Sequence, residues 1–264
     1  MNIFATDPSL LFNFLLTLMR ISIVLFLMPI FNTNQIPMQI KAAISIVLTI
    51  ALWPALSLPS ENISLHPLNL GLMLLGEVLL GSILSLAVNF TFMAIQAGGE
   101  LLGFQMGFTM ISFADPLTGN QTGSAAFFLW MVSLFIFLCL DGHLYFIRAF
   151  AQTFTLIPPG HLLINQMLYD QIMNLASKLF ELAIKICSPV MVSLFTVEVT
   201  LGLMARTSPQ MHIMDFGFPV KISVGFFFLG MLLLIISEHM FGFVAGIEGL
   251  LTNILRAMSP LIPK

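Results

Sequence analysis

Hydrophobic positions in this chain fall in long runs, separated by short breaks rich in proline and polar residues. About 20 apolar residues are needed to cross a hydrocarbon core about 30 Å thick. Six runs are on that scale or beyond it: residues 9–31, 40–58, 68–96, 124–157, 178–205 and 219–250. The clearest breaks are NTNQIP (32–37), LPSENISLHP (58–67), IPPGH (157–161) and SPQMHIMDFGFP (208–219). The pattern predicts an all-α, multi-pass membrane protein with about six long helices. Runs longer than a simple crossing are accommodated by tilt, by a kink, or by helix standing outside the lipid; Pro189 is the expected kink in the fifth. The first run, Ser9 to Phe31, reads as a retained helix, because MNIFATDPSLLF has no basic n-region and no A-x-A-like site follows it. No repeat or low-complexity tract divides the chain, which reads as one helical unit.

Composition strengthens the membrane assignment. Of 264 residues, 58% are hydrophobic and 8% charged, with a mean hydropathy of +1.03; a soluble domain carries about 25% charged residues. The net charge of -3 provides no basic surface for nucleic acid. Cys139 and Cys187 lie in apolar runs and read as small core hydrophobes. Lys/Arg asymmetry does not orient the chain: Lys41, Arg206 and Lys221 on one side balance Lys178, Arg256 and Lys264 on the other. A protein held by partners has less need of that bias than one held by lipid.

Several ionisable residues interrupt the apolar runs: Arg20, Glu77, Arg148, Lys185, Glu198, Glu238 and His239. Each costs about 2.5–3.5 kcal/mol at a bilayer centre on insertion scales, so each is expected to face another helix or water. Lys178, Glu181 and Lys185 share a helix face at i, i+3 and i+7, either neutralising one another or forming a stripe for a partner. Glu238 and His239 are adjacent and point about 100° apart on a helix, so they form no relay by themselves. Gly99, Gly103 and Gly107 form a small-xxx-small ridge for close helix approach, and Gly242 and Gly246 a second pair. No HExxH, G-x-S-x-G or Walker-type loop is present, and no His has metal-ligand spacing to another His or Cys. No catalytic residue, metal or cofactor is therefore expected.

GLMARTSPQMHIMDFGFPVKI (202–222) resembles the signature of the FliR/type III secretion export-gate family, an A-R-x-x-P-Q-[MF]-N-x-[FM]-x-x-G-[FM]-P-x-[KR] pattern. Ala205, Arg206, Pro209, Gln210, Met211, Met214, Gly217, Phe218, Pro219 and Lys221 match it; His212 stands where Asn is usual. Arg20 with Met28-Pro29-Ile30-Phe31, Ile36-Pro37 and Lys41 resembles the family's first helix and loop. GELLGFQMGFTMISFADP (99–116) resembles its G-E-x-x-G-x-Q-x-G…DP block, and DGHLYFI (141–147) its N-G-H-x-x-x-I segment, with Asp141 replacing Asn.

The resemblance implies a non-enzymatic subunit of a bacterial export gate in the inner membrane, at the flagellar basal body. It implies FliP-like and FliQ-like subunits as partners, FlhB-like and FlhA-like neighbours, unfolded export substrates in transit, and contact with membrane lipid. It also implies a FliP-like portion (1–175) followed by a FliQ-like helical hairpin and tail (176–264). Subunit-interface candidates are Arg20, Gly99, Glu100, Gly103, Lys185, Glu198, Arg206, Pro209, Gln210, Gly217, Pro219 and Lys221. The match is closer to the flagellar than to the virulence branch. A free-standing secondary transporter would show inverted repeats with a midplane ion site, and no such symmetry is visible.

Segment 103–123, GFQMGFTMISFADPLTGNQTG, is too greasy for a solvated loop and too broken for a spanning helix. A secretion channel needs such a segment: it must pass unfolded polypeptide without leaking ions. Methionine re-packs around irregular shapes, phenylalanine favours dewetting at a constriction, and glycines 103, 107, 119 and 123 act as hinges. Residues 106–122 are the expected pore plug, with Met106, Phe108, Met110, Ile111 and Phe113 as its gasket and Asp115-Pro116 as its turn; the resembled family has a plug loop here. The rival is a loop packed on neighbouring helices. Segment 205–221 reads equally as the turn of a helical hairpin or as a docking loop for gate subunits.

Overall fold

The computed structural model of the protein describes residues 8–32, 36–53, 67–108, 123–160, 162, 165–207 and 213–258. Among these it is all-α: α1 (Pro8–Leu27), α2 (Met38–Leu52), α3 (Pro67–Met106), α4 (Ser124–Cys139), α5 (Gly142–Leu156), α6 (Gln166–Thr207) and α7 (Ile213–Met258). Among the described residues, four helices are long and apolar enough to cross a membrane, or up to five if a bent pair counts as one span. The run lengths predict about six.

Two differences account for the shortfall. The run 124–157 is not one helix: α4 and α5 meet at a 71° bend. Asp141 sits there with φ 55 in the left-handed region, which Asp tolerates better than most non-glycine residues. The Leu140 N–H still donates to the Ile136 carbonyl, while the Leu144 and Tyr145 N–H groups donate to that of Asp141, so one ladder stops and another starts across a single residue. The second difference is α2. Its 15 residues rise about 22 Å, short of a hydrocarbon core of about 30 Å.

Other helices outrun their expected bounds. α3 continues past 96 to Met106, through glycines that pack against neighbours. α6 starts at Gln166 because Asn165 caps it: its Oδ1 accepts from the Leu168 N–H at 2.9 Å. Pro189 lies inside α6 and has no N–H for the Lys185 carbonyl. The Ser188 hydroxyl donates to that carbonyl instead, at 3.1 Å.

The chain forms two compact units, each discontinuous in sequence. Unit 1 comprises residues 1–90, 141–175 and 245–264; unit 2 comprises 91–140 and 176–244. In unit 1, α1 and α3 approach closely at Gly81, where a Cβ would lie 3.1 Å from Ile23 and 3.3 Å from the Arg20 carbonyl. One turn apart on α3, Ser85 and Asn89 donate to the Val24 and Leu27 carbonyls of α1 at 2.8 and 2.5 Å. α2 is inside-out relative to a soluble helix. It buries Ser45 and Thr49, whose hydroxyls bond to its own carbonyls, and leaves Val47 64% exposed with Met38 and Ile50. Small polar residues turned inward and large apolar ones turned outward suit an apolar surrounding.

Unit 2 is held by aromatic and glycine packing. Phe92 meets Phe137 edge-to-face at 5.4 Å and Phe243 at 6.4 Å. A Cβ on Gly99 would lie 2.6 Å from the Ala126 Cα, and one on Gly98 3.2 Å from the Ala183 carbonyl, so α3 touches the backbones of α4 and α6 only because these positions lack side chains.

Candidate functional site

In unit 1, the one charged residue of α1 meets Glu77 of α3. Arg20 is 0% exposed and Glu77 1%. The Arg20 guanidinium donates from Nε to Glu77 Oε2 at 2.5 Å and from Nη2 to Oε1 at 2.9 Å, a bidentate pair. Its Nη1 donates to the Ile157 carbonyl at 3.0 Å and, more weakly, to Thr153 Oγ1 at 3.5 Å. The Gly160 N–H donates to Glu77 Oε1 at 2.7 Å, and the Phe154 ring lies 4.4 Å from the Arg20 Cζ. The charge of Arg20, an expected interface residue, is met inside its own chain. One bridge thus binds α1, α3, α5 and the turn that follows α5.

In unit 2, the start of the expected plug can be placed. α3 ends at Gly107, whose φ of +84 turns the chain out of the helix. Met106 is fully buried, with its side chain in a notch on α7: a Cβ on Gly225 would lie 2.5 Å from the Met106 Cε. The Phe218 ring lies over Gly107, and Phe108 meets Phe226 edge-to-face at 6.0 Å. Met110, Ile111, Phe113, Asp115 and Pro116 lie outside the described residues.

The other expected contact residues divide. Gly99 and Gly103 face Ala126 and Ala125 of α4, within this chain. Glu100, Lys185, Arg206 and Pro219 are exposed, as are Lys178, Glu181 and Glu238. Glu198 and Lys221 pair with each other across α6 and α7 at 2.5 Å. Gly217, which is buried, faces Leu201. With 201 opposite 217 and 198 opposite 221, α6 and α7 run antiparallel here as a hairpin. Pro209 and Gln210 lie outside the described residues.

The two long helices leave much apolar surface bare: Phe180, Val192, Phe195 and Leu203 on α6, and Phe227, Met231, Leu234 and Phe241 on α7 are exposed, Phe227 by 75%. Sequence reasoning missed the Gly225 notch and the Asn165 cap. Asn165 carries a readable signal, a capping residue just before an apolar run. Gly225 carries none, because glycine is common in membrane helices.

Residues 11–246 match the family described as Bacterial export proteins, family 1. The chain is 28% identical over 248 residues to the flagellar biosynthetic protein FliR of Escherichia coli (strain K12), covering 93% of each. It is 30% identical over 234 residues to that of Pectobacterium carotovorum subsp. carotovorum, covering 88% of each. The surface presentation of antigens protein SpaR of Shigella flexneri matches less of it: 27% identity over 155 residues, 58% of this chain and 59% of SpaR. A match running from the first helix nearly to the end of the last, in a chain of bare apolar helices, leads to one conclusion: this chain belongs to the FliR family of bacterial export proteins.

Proposed function

We propose that this chain is a structural subunit of the flagellar type III export gate, and that it helps line and seal the conduit through which unfolded flagellar proteins leave the cell. It is a non-enzymatic, multi-pass component of the flagellar export apparatus in the inner membrane. The flagellar assignment follows the relatives that align along nearly the whole chain, against the shorter match to SpaR.

The observation that carries the gate reading is the bare surface of α6 and α7. These helices have 42 and 46 residues, which rise about 63 and 69 Å, roughly twice the hydrocarbon thickness. Their large apolar side chains are exposed, and exposed Lys185 and Glu238 lie among them. Lipid covers at most part of such a surface, so sister polypeptides cover the rest. We assign that role to FliP-like and FliQ-like subunits, with FlhB-like and FlhA-like neighbours. On the same reading, 1–175 is the FliP-like portion and 176–264 the FliQ-like hairpin. Exposed Glu100, Lys185, Arg206 and Pro219 are contact residues toward these partners. The segment 106–122 is the seal, a soft apolar gasket of methionine and phenylalanine.

Photo-crosslinkers at Phe195 and Phe227 test the cover. Adducts with other export-apparatus proteins are expected; adducts with lipid alone would refute it. Serine at Met110 and Phe113 tests the seal, and unchanged membrane conductance in cells making the whole apparatus would count against it.

A further inference from the structure

We propose that Met106, Gly107 and Phe108 form a three-point anchor on α7, which fixes where the sealing segment leaves α3 and so makes the position of the seal depend on Gly225. The proposal rests on reading 106–122 as the seal; the contacts themselves lie wholly among described residues of unit 2.

Three successive residues are held in three different ways. Met106 fills the Gly225 notch, where a Cβ would lie 2.5 Å from its Cε and 2.8 Å from its Cγ and Sδ. Any side chain at 225 therefore displaces it. Gly107 closes the last turn of α3, its N–H donating to the Phe104 carbonyl at 3.1 Å. Its φ of +84 is one that L side chains rarely adopt, and a Cβ there would lie 2.9 Å from the Phe218 ring, so glycine is required twice over. Phe108 then sets its ring edge-to-face on Phe226.

Two of the three receiving residues, Phe218 and Gly225, share one face of α7 with Lys221, and Phe226 follows Gly225. Phe218, Lys221 and Gly225 are spaced i, i+3 and i+7, on one face of α7. Lys221 in turn pairs with Glu198 of α6, so the face that receives the stem is itself tied to the hairpin. The far side of the segment differs. A Cβ on Gly123 would meet nothing within 4 Å, and its backbone is extended, with φ -60 and ψ 141. The stem at 106–108 is keyed to α7, whereas Gly123 itself has open space around it. A soft gasket pushed by passing chain needs one such fixed end to return to the same place.

The test uses cells making the complete export apparatus, reading membrane conductance and secretion. Gly225→Val is expected to raise conductance as far as Phe113→Ser does. Gly230→Ala, at a position on α7 with open space around it, is expected to stay as tight as wild type. Should Gly225→Val fail to accumulate, Met106→Cys/Gly225→Cys decides: oxidation of intact membranes is expected to join 106 to 225, with conductance unchanged. A leaking Phe113→Ser beside a tight, assembled Gly225→Val overturns the anchor and leaves the seal standing. Absence of the 106–225 bond also overturns it. A tight Phe113→Ser removes the seal reading, and the anchor's role falls with it.

Discussion

At the centre of unit 1 stands an arginine, and at the tightest contacts of unit 2 stand glycines. Arg20 and Glu77 are both buried, and together they satisfy the Ile157 carbonyl and the Gly160 N–H. Such a bridge is directional: it works in one geometry and holds α1, α3 and the turn after α5 in that geometry. Gly98, Gly99 and Gly225 instead let backbone or a methionine come close, and nothing there depends on a bond angle. Dispersion contacts of that kind survive small sliding movements better than a bidentate ion pair does. The contrast teaches a division of labour in one chain. Unit 1 is held in one geometry by a buried ion pair, and unit 2, which holds Met106–Phe108 and residues 176–244 of the α6–α7 region, relies on close apolar contacts at glycines.

Breaking the bridge is the harshest test of that contrast. Glu77→Ala strands a buried guanidinium, and removing one partner of a buried pair costs about 3–5 kcal/mol. The chain is expected to disappear from the membrane fraction. Arg20→Met with Glu77→Leu, which removes both charges, is expected to recover much of the lost level. If Glu77→Ala accumulates like wild type, unit 1 is not held this way.

In unit 2 the equivalent lesion is smaller. Gly99→Val pushes a side chain into the Ala126 backbone, and overpacking of that kind costs about 1–3 kcal/mol. A lower melting temperature in detergent is expected, with the protein still present. Loss as complete as that of Glu77→Ala would erase the distinction between the units. The smallest effect belongs to Lys221→Gln. Its pair with Glu198 is partly exposed, and exposed pairs contribute about 0–1 kcal/mol. The melting temperature is expected to hold within error, and a large drop would show that this pair sits in a far less polar setting than its exposure indicates.

The class of fold was legible because apolar runs of span length admit few alternatives to helices. The bend at Asp141 was not, because hydropathy is blind to one residue's φ when the flanks are equally apolar. The extension of α3 to Met106 was hidden for a related reason: Gly98, Gly99 and Gly103 lower helix propensity on paper, yet here they are what lets neighbouring helices approach. Arg20 and Glu77 were each recognisable as charges in need of a partner, but their spacing of 57 residues concealed that they serve each other. Of the segment 106–122 proposed as the seal, the structure describes Met106, Gly107 and Phe108, where it meets α7. The notch at Gly225 needed three dimensions, since nothing distinguishes that glycine from the others on α7.

The central claim is that the apolar faces of α6 and α7 are covered by other polypeptides of the export apparatus. The most direct measurement is the mass of the intact particle after extraction from flagellated cells in mild detergent. The account predicts a hetero-oligomer that retains this chain with other apparatus subunits through purification. A monodisperse particle with the mass of this chain alone, 29.2 kDa, stable and free of companions, would contradict it.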